Sequence, residues 1–176
     1  MLTNKWVIDP THSEIQFKVK HLMISTVTGH FKKFNLEAST EGDDFSTVQD
    51  VTFTIETNSV DTNNKDRDKH LKSADFFNSE TYSTIVFNGT SYEGSDNEGK
   101  LTGNLSISGI EKPVVVSIEF GGIVVDPYGQ TKAGFTVEGK INRKDFGLTW
   151  GALTEAGNVV VGDEVKFHGE IQLIKQ

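Results

Sequence analysis

The sequence predicts an all-β domain of eight antiparallel strands, with one short helix between the third strand and the fourth. Three observations carry that reading. Apolar and polar residues alternate along most of the chain, the period-two pattern of strands with one buried and one wet face. Glycine is abundant at 17 of 176 residues, proline scarce at 3, and phenylalanine reaches 12, a balance that favours strands. Turn-forming clusters such as "EGDD" (41–44) and "EGSDNEG" (93–99) separate the alternating runs.

The first strand sets Ile15, Phe17, Val19 and His21 against Glu14, Gln16, Lys18 and Lys20. In the second, Phe34, Leu36 and Ala38 oppose Asn35, Glu37 and Ser39; in the third, Val51, Phe53 and Ile55 oppose Thr52, Thr54 and Glu56. Alternation then stops from Asn64 to Ala74. Asn63 or Asn64 can cap a helix there, Asp66 and Asp68 suit its first turn, and Lys69, His70 and Lys72 suit its last. Ile85 and Phe87 mark a shorter fourth strand. Leu101, Leu105 and Ile107 mark the fifth, and Val114, Val116, Ile118 and Phe120 the sixth. Phe135, Val137 and Ile141 form the inner row of the seventh, and Val165, Phe167, Ile171 and Leu173 that of the eighth.

Alternation alone serves a sandwich or a barrel. Two features favour a barrel with a cavity. Strands of about ten residues span roughly 33 Å, which makes a long tube. Glycines also fall in the inward phase, at Gly103, Gly109, Gly139 and Gly169. They either relieve strain at bends and bulges or leave interior volume for a ligand.

The formal net charge is −8. Such a field repels nucleic-acid phosphates and anionic lipid headgroups, and no Lys/Arg run stands out against it. The absence of cysteine removes disulfides, thiolate metal sites and cysteine nucleophiles. The N-terminal "MLTNKWVIDPTHS" has no apolar leader, and no stretch approaches the length of a membrane span. The expectation is a single domain over residues 1–176, located in the cytoplasm.

The most charged stretch is "NNKDRDKHLKSADFF" (63–77). Asp66 and His70 stand four apart on one helical face and could begin a metal site. The other histidines, at 12, 21, 30 and 168, are scattered singly, so no metal and no cofactor are expected. Asp and His could also form an acid/base pair, but no GxSxG or phosphate loop accompanies them. The favoured reading is structural: Arg67 and its acidic neighbours tie the helix to a barrel end, while Leu71, Phe76 and Phe77 pack inward. His21 is either a core residue or a polar contact for a ligand head. The connection from Ile141 to Val165 is long for a hairpin. Its Phe146, Leu148 and Trp150 either plug the barrel end or touch a ligand.

Several motifs together resemble the YceI-like family. They are "WVIDPTHSEIQFKVKH", "VTGHFKKF", "SVDTNNKDRDKHLKSADFF", "GNLSISGIEKPVVV", "INRKDFGLTW" and "VGDEVKFHGEIQL". The most recognisable is carried by Arg67, Asp68, His70, Leu71, Phe76 and Phe77, followed by Arg143, Asp145, Phe146 and Gly147. The resemblance implies an extended, lipocalin-like eight-stranded antiparallel barrel with a short helix at one end. It also implies non-enzymatic binding, storage or transport of a polyisoprenoid, an isoprenoid quinone or a similar long-chain lipid. Many relatives are periplasmic, and the resemblance allows a homodimer.

Binding such a chain requires buried apolar area, worth about 25 cal/mol per Å². Phe17, Val19, Phe53, Ile55, Phe87, Leu105, Ile107, Phe135, Val137 and Phe167 would supply it, with His21, Phe31, Phe76 and Trp150 completing the candidate lining. Two rivals remain. One is a lipid-modifying enzyme using His21 or His70. The other is a stress-induced structural protein whose barrel is filled by its own side chains.

Overall fold

The computed structural model describes residues 2–151 and 160–176. Among these residues, eleven strands pair into one antiparallel sheet that closes on itself. The closed barrel nevertheless has eight strands, because the first two passes of the chain are each broken in the middle. β1 (Thr3–Ile8) and β2 (Glu14–His21) both run antiparallel to β11 (Val161–Lys175), with Ile8 opposite Leu173 and Glu14 opposite Glu170. β3 (Ser25–Phe31) and β4 (Phe34–Glu41) run back along them, with Phe31 opposite Ile15 and Glu37 opposite Val7.

The third pass is β5 (Asp44–Glu56), followed by the two-residue β6 (Val60–Asp61) and helix α1 (Lys65–Lys72). β7 (Thr84–Gly94), β8 (Glu98–Ile107), β9 (Ile110–Val125) and β10 (Thr131–Asn142) then lead to β11. Each pass pairs with the next, and the last pairs with the first. β4 pairs with β5, whereas β3 departs from it and pairs with β6 through Phe31 and Val60. α1 follows directly at that divergence.

The sequence reading missed the outer half of each broken pass. In β1 only Trp6 and Ile8 are buried before Asp9 and Pro10 end the run. In β3 the inward row is Val27, Gly29 and Phe31, and the glycine interrupts the apolar alternation. Several strands also exceed ten residues, β9 reaching 16 and β11 15. Shifts of register in β4, β7, β10 and β11 let such strands bend around the barrel.

The helix forms where alternation stops. Asn64 caps it, its side chain accepting from the Arg67 amide at 3.0 Å. Asp66 and Asp68 lie in the first turn and Lys69, His70 and Lys72 in the last, as the helix dipole favours.

The two ends of the barrel differ. The termini and the β4–β5, β7–β8 and β9–β10 hairpins form one end. There Trp6, Phe45, Phe120 and Phe135 interlock, Phe45 lying 4.8 Å from both Trp6 and Phe135 between ring centres. Trp6 is completely buried and donates to Thr40 Oγ1 at 2.9 Å. Beside it, the buried Lys132 ammonium donates to Asp9 at 2.8 Å and lies 3.6 Å from Asp126. Burial alone would raise the Asp9 carboxyl. Hydrogen bonds from Lys132, Thr11 and His12 outweigh that effect and hold it far below the usual carboxylate range.

The opposite end carries the β2–β3 and β8–β9 hairpins, the β10–β11 connection and α1. Among the described residues, no helix is long and apolar enough to cross a membrane.

Candidate functional site: an apolar cavity opening beside the helix

The alternation that builds the wall also fills it with apolar side chains, but not completely. A cavity of about 390 Å³ runs inside the barrel from the α1 end, within the ~300–1,000 Å³ range of small-molecule sites. Its wall is built by Phe17 and Val19 of β2, Phe53 and Ile55 of β5, Phe87 of β7, Leu105 and Ile107 of β8, Val137 of β10 and Phe167 of β11. The barrel is therefore not filled by its own side chains.

Glycines keep part of that space open. Phe17 lies against Gly29, Phe87 against Gly103 and Phe167 against Gly139, so closely that a Cβ at any of the three would collide with the ring. The rings lie flat on the wall instead of standing across the lumen. Gly169 faces Ile15 in the same way. Gly109 is different: with φ of +77° next to Ser108 at +51°, it makes the β8–β9 turn and lines nothing.

The mouth is organised around α1. Arg67 donates through Nε to Thr62 Oγ1 at 2.7 Å and through a terminal nitrogen to the Thr62 carbonyl at 2.6 Å. Asp68 accepts from the amide and hydroxyl of the same buried threonine. These two side chains clamp the helix to the end of β6. His70 projects further on. Its Nε2 meets Asp75 at 2.9 Å, and its ring sits 4.8 Å from Trp150 and 5.1 Å from Phe76. The carboxylate paired with His70 is thus Asp75, not the Asp66 that helical spacing suggests.

Trp150 is held in turn by Arg143. That buried guanidinium donates to the carbonyls of Gly162, Leu148 and Trp150 at 2.9, 2.6 and 2.6 Å. Burial pushes Arg143 below its ordinary value and Asp163 opposes the shift. Phe146 and Leu148 of this connection are buried, and Leu148 and Trp150 border the cavity. Residues 152–159 of the same long loop lie outside the described residues.

The polar residues bordering the cavity are Gln16, Lys20, His21, Arg67, His70, Arg143, His168 and Trp150, of which Gln16, Lys20 and His168 belong to the outward rows of β2 and β11. Among the described residues, no Ser, Thr, Tyr, Asp or Glu side chain lines the cavity. His21, Arg67 and His70 stand at the mouth, Arg67 already engaged with Thr62 and His70 with Asp75. No group of three His, Cys, Asp or Glu that could hold a metal occurs among the described residues.

Of the residues expected on the lining, Phe17, Val19, His21, Phe31, Phe53, Ile55, Phe76, Phe87, Leu105, Ile107, Val137, Trp150 and Phe167 all border the cavity. Phe135 does not. It packs against Phe45 and Phe120 in the sealed end. Its inward phase is as expected, but phase says nothing of height along the barrel. The cavity is also bordered by Leu71 and Phe77, expected to pack inward beside the helix, and by Val27, Leu36 and Ile118, which were not among the candidate lining residues. The same alternation marks Leu36 and Ile118; Val27 was hidden by the glycine in β3.

Fold and site together define a class: an antiparallel β-barrel, sealed at one end and opening at the other onto an apolar cavity. Residues 6–173 match the YceI-like domain, and the chain belongs to that family. It is 38% identical over 169 residues to a UPF0312 protein of Staphylococcus epidermidis, covering 96% of each chain. It is 37% identical over 172 residues to a UPF0312 protein of Staphylococcus aureus, covering 97% of each. The Campylobacter jejuni YceI protein superposes with a TM-score of 0.77 at 32% identity, over 89% of this chain and 90% of that one. A polyisoprenoid-binding domain from Saccharophagus degradans superposes with a TM-score of 0.69 over 97% and 98%, but at 14% identity the likeness is one of fold.

Proposed function

We propose that this protein binds a long-chain amphiphile, with the chain in the barrel cavity and the head at the α1 end. A polyisoprenoid or isoprenoid quinone fits this description, and storage or transport follows from binding without chemistry. The observation that carries the reading is the lining: a nearly unbroken apolar wall with Arg67 and His70 at its mouth. An apolar chain gains about 25 cal/mol for each Å² it buries, and carbonyl or phosphate oxygens on its head suit Arg67 and His70. The family membership agrees, and the Saccharophagus domain is described as polyisoprenoid-binding.

The chain's two tryptophans provide a test. Trp6 lies in the sealed end and Trp150 at the mouth. In a Trp6→Phe variant, Trp150 is the sole fluorescent reporter. Titration with farnesol is expected to change its emission saturably; a flat titration with folded protein would contradict the proposal.

A second reading, a lipid-modifying enzyme, draws on the His70–Asp75 pair at the mouth. The pair has the geometry of an oriented base, but among the described residues no Ser, Thr or Tyr borders the cavity beside it. A modified lipid formed on incubation, and lost in His70→Ala with the fold intact, would favour that reading.

A further inference from the structure

The tip of the β2–β3 hairpin is at odds with its own sequence. His21 pairs with Ser25, leaving Leu22, Met23 and Ile24 as a three-residue loop. Leu22 and Met23 both hold left-handed backbone, with φ of 52° and 58°. Glycine and asparagine are the residues that take such positions readily. Here a tight turn is built from two large apolar residues and followed by a third. Met23 is 60% exposed and Ile24 83%. Neither lines the cavity, so packing explains neither their identity nor their conformation.

Their position is informative. The Leu22 amide donates to the Val160 carbonyl at 2.8 Å, fixing the tip to the start of β11. Lys20, His21, Val160 and Val161 at its base all border the cavity. The apolar tip thus stands at the mouth. From Lys18 to Phe31 the hairpin carries no Asp or Glu, in a chain of net charge −8. No carboxylate on this hairpin would have to be dehydrated if the tip entered an apolar phase. The opposite end also exposes Val124, Val125 and Tyr128, but beside the sealed aromatic plug and without an opening.

We infer that Leu22, Met23 and Ile24 are a bilayer-docking tip that seats the mouth of the barrel on a lipid membrane. This inference rests on the lipid-cavity reading for its purpose. A long apolar chain crosses water at a cost proportional to its exposed area, and a mouth resting on the bilayer removes that crossing. Insertion is driven by apolar area, because the overall acidic field gives no attraction to anionic headgroups. Binding therefore extends to zwitterionic lipid and resists salt.

The test is co-sedimentation with phosphatidylcholine vesicles, beside farnesol titration in the absence of vesicles. Wild-type protein is expected to sediment with the vesicles at low and high salt. Met23→Glu/Ile24→Glu should weaken partitioning on the order of tenfold or more, since two apolar side chains leave the membrane, while farnesol titration is unchanged. Val124→Glu/Val125→Glu, at the sealed end, should sediment like wild type. No sedimentation of wild type, equal sedimentation of the tip variant, or loss only in the sealed-end variant would overturn the inference. So would a wild-type dimer that the tip variant converts to monomer without any vesicle binding, because the tip would then be covered by a second copy. Vesicle binding without farnesol binding would overturn the cavity reading and leave the docking tip standing.

Discussion

The two ends of this barrel are made from the same residues in the same alternation, and they do opposite things. At the sealed end Phe45, Phe120 and Phe135 meet one another and Trp6. Nearer the mouth Phe17, Phe87 and Phe167 lie flat over glycines and leave a cavity between them. The difference is set by what faces each ring. Four rings gathered in one cluster make the plug; rings seated over glycines make part of the wall. The polar groups follow the same division. The sealed end buries an ion cluster of Lys132, Asp9 and Asp126, while Arg67 and His70 stand at the mouth.

The most forceful way to break this contrast is to empty the plug. Phe135→Ala should cost about 3 kcal/mol, the lower end of the range for removing a phenyl ring, because Phe135 is partly buried, measured by urea unfolding. Farnesol binding by the folded fraction should persist. Phe53→Ala should show the converse pattern, with a smaller loss of stability and a weaker farnesol titration. Equal effects from the two variants would erase the distinction between plug and wall.

Closing the wall comes next. Gly139→Ala forces the Phe167 ring away from its seat. Such overpacking typically costs about 1–3 kcal/mol, and a ring displaced into the lumen should also reduce farnesol affinity. Unchanged affinity would mean that the glycine only eases the strand.

The ion cluster sharpens the contrast through pH. Asp9 is held below its ordinary value of 3.8 in the folded protein, so its contribution to stability is complete above about pH 4 and declines as the pH falls below it. The melting temperature of Asp9→Asn should lie below that of wild type at neutral pH, and the gap should narrow in acid. A constant gap would contradict the assignment.

The smallest effect is expected on the outer wall. His168 is raised above its ordinary value of 6.5, chiefly by its hydrogen bond to Glu170 and also by Glu138, against the opposing effect of burial. Its contribution is complete below about pH 6.5 and lost as pH rises through the folded value. His168→Gln should therefore be slightly less stable than wild type in mild acid and indistinguishable at alkaline pH, by thermal unfolding.

Most of the wall was legible because period-two alternation fixes which side chains face inward. Phe17, Phe53, Phe87 and Phe167 needed nothing more. Height along the barrel was not legible, since it depends on register between strands distant in sequence, and Phe135 was misplaced for that reason. β1 and β3 escaped notice because Asp9–Pro10 and Gly29 interrupt their patterns. The charged helix was readable as a clamp from its caps and dipole partners. The Asp75 partner of His70 was not, because it lies beyond the helix end in a turn whose path only tertiary packing determines. The Lys132–Asp9 pair joins residues 123 apart and left no local signal.

The central claim is that the cavity between plug and mouth holds an apolar chain. Organic extraction of the purified protein, followed by mass spectrometry, tests it most directly. The account predicts a long-chain lipid in stoichiometric amount, depleted in Phe53→Ala and retained by the folded fraction of Phe135→Ala. Empty extracts from several expression hosts, together with no uptake of added isoprenoid, would contradict it.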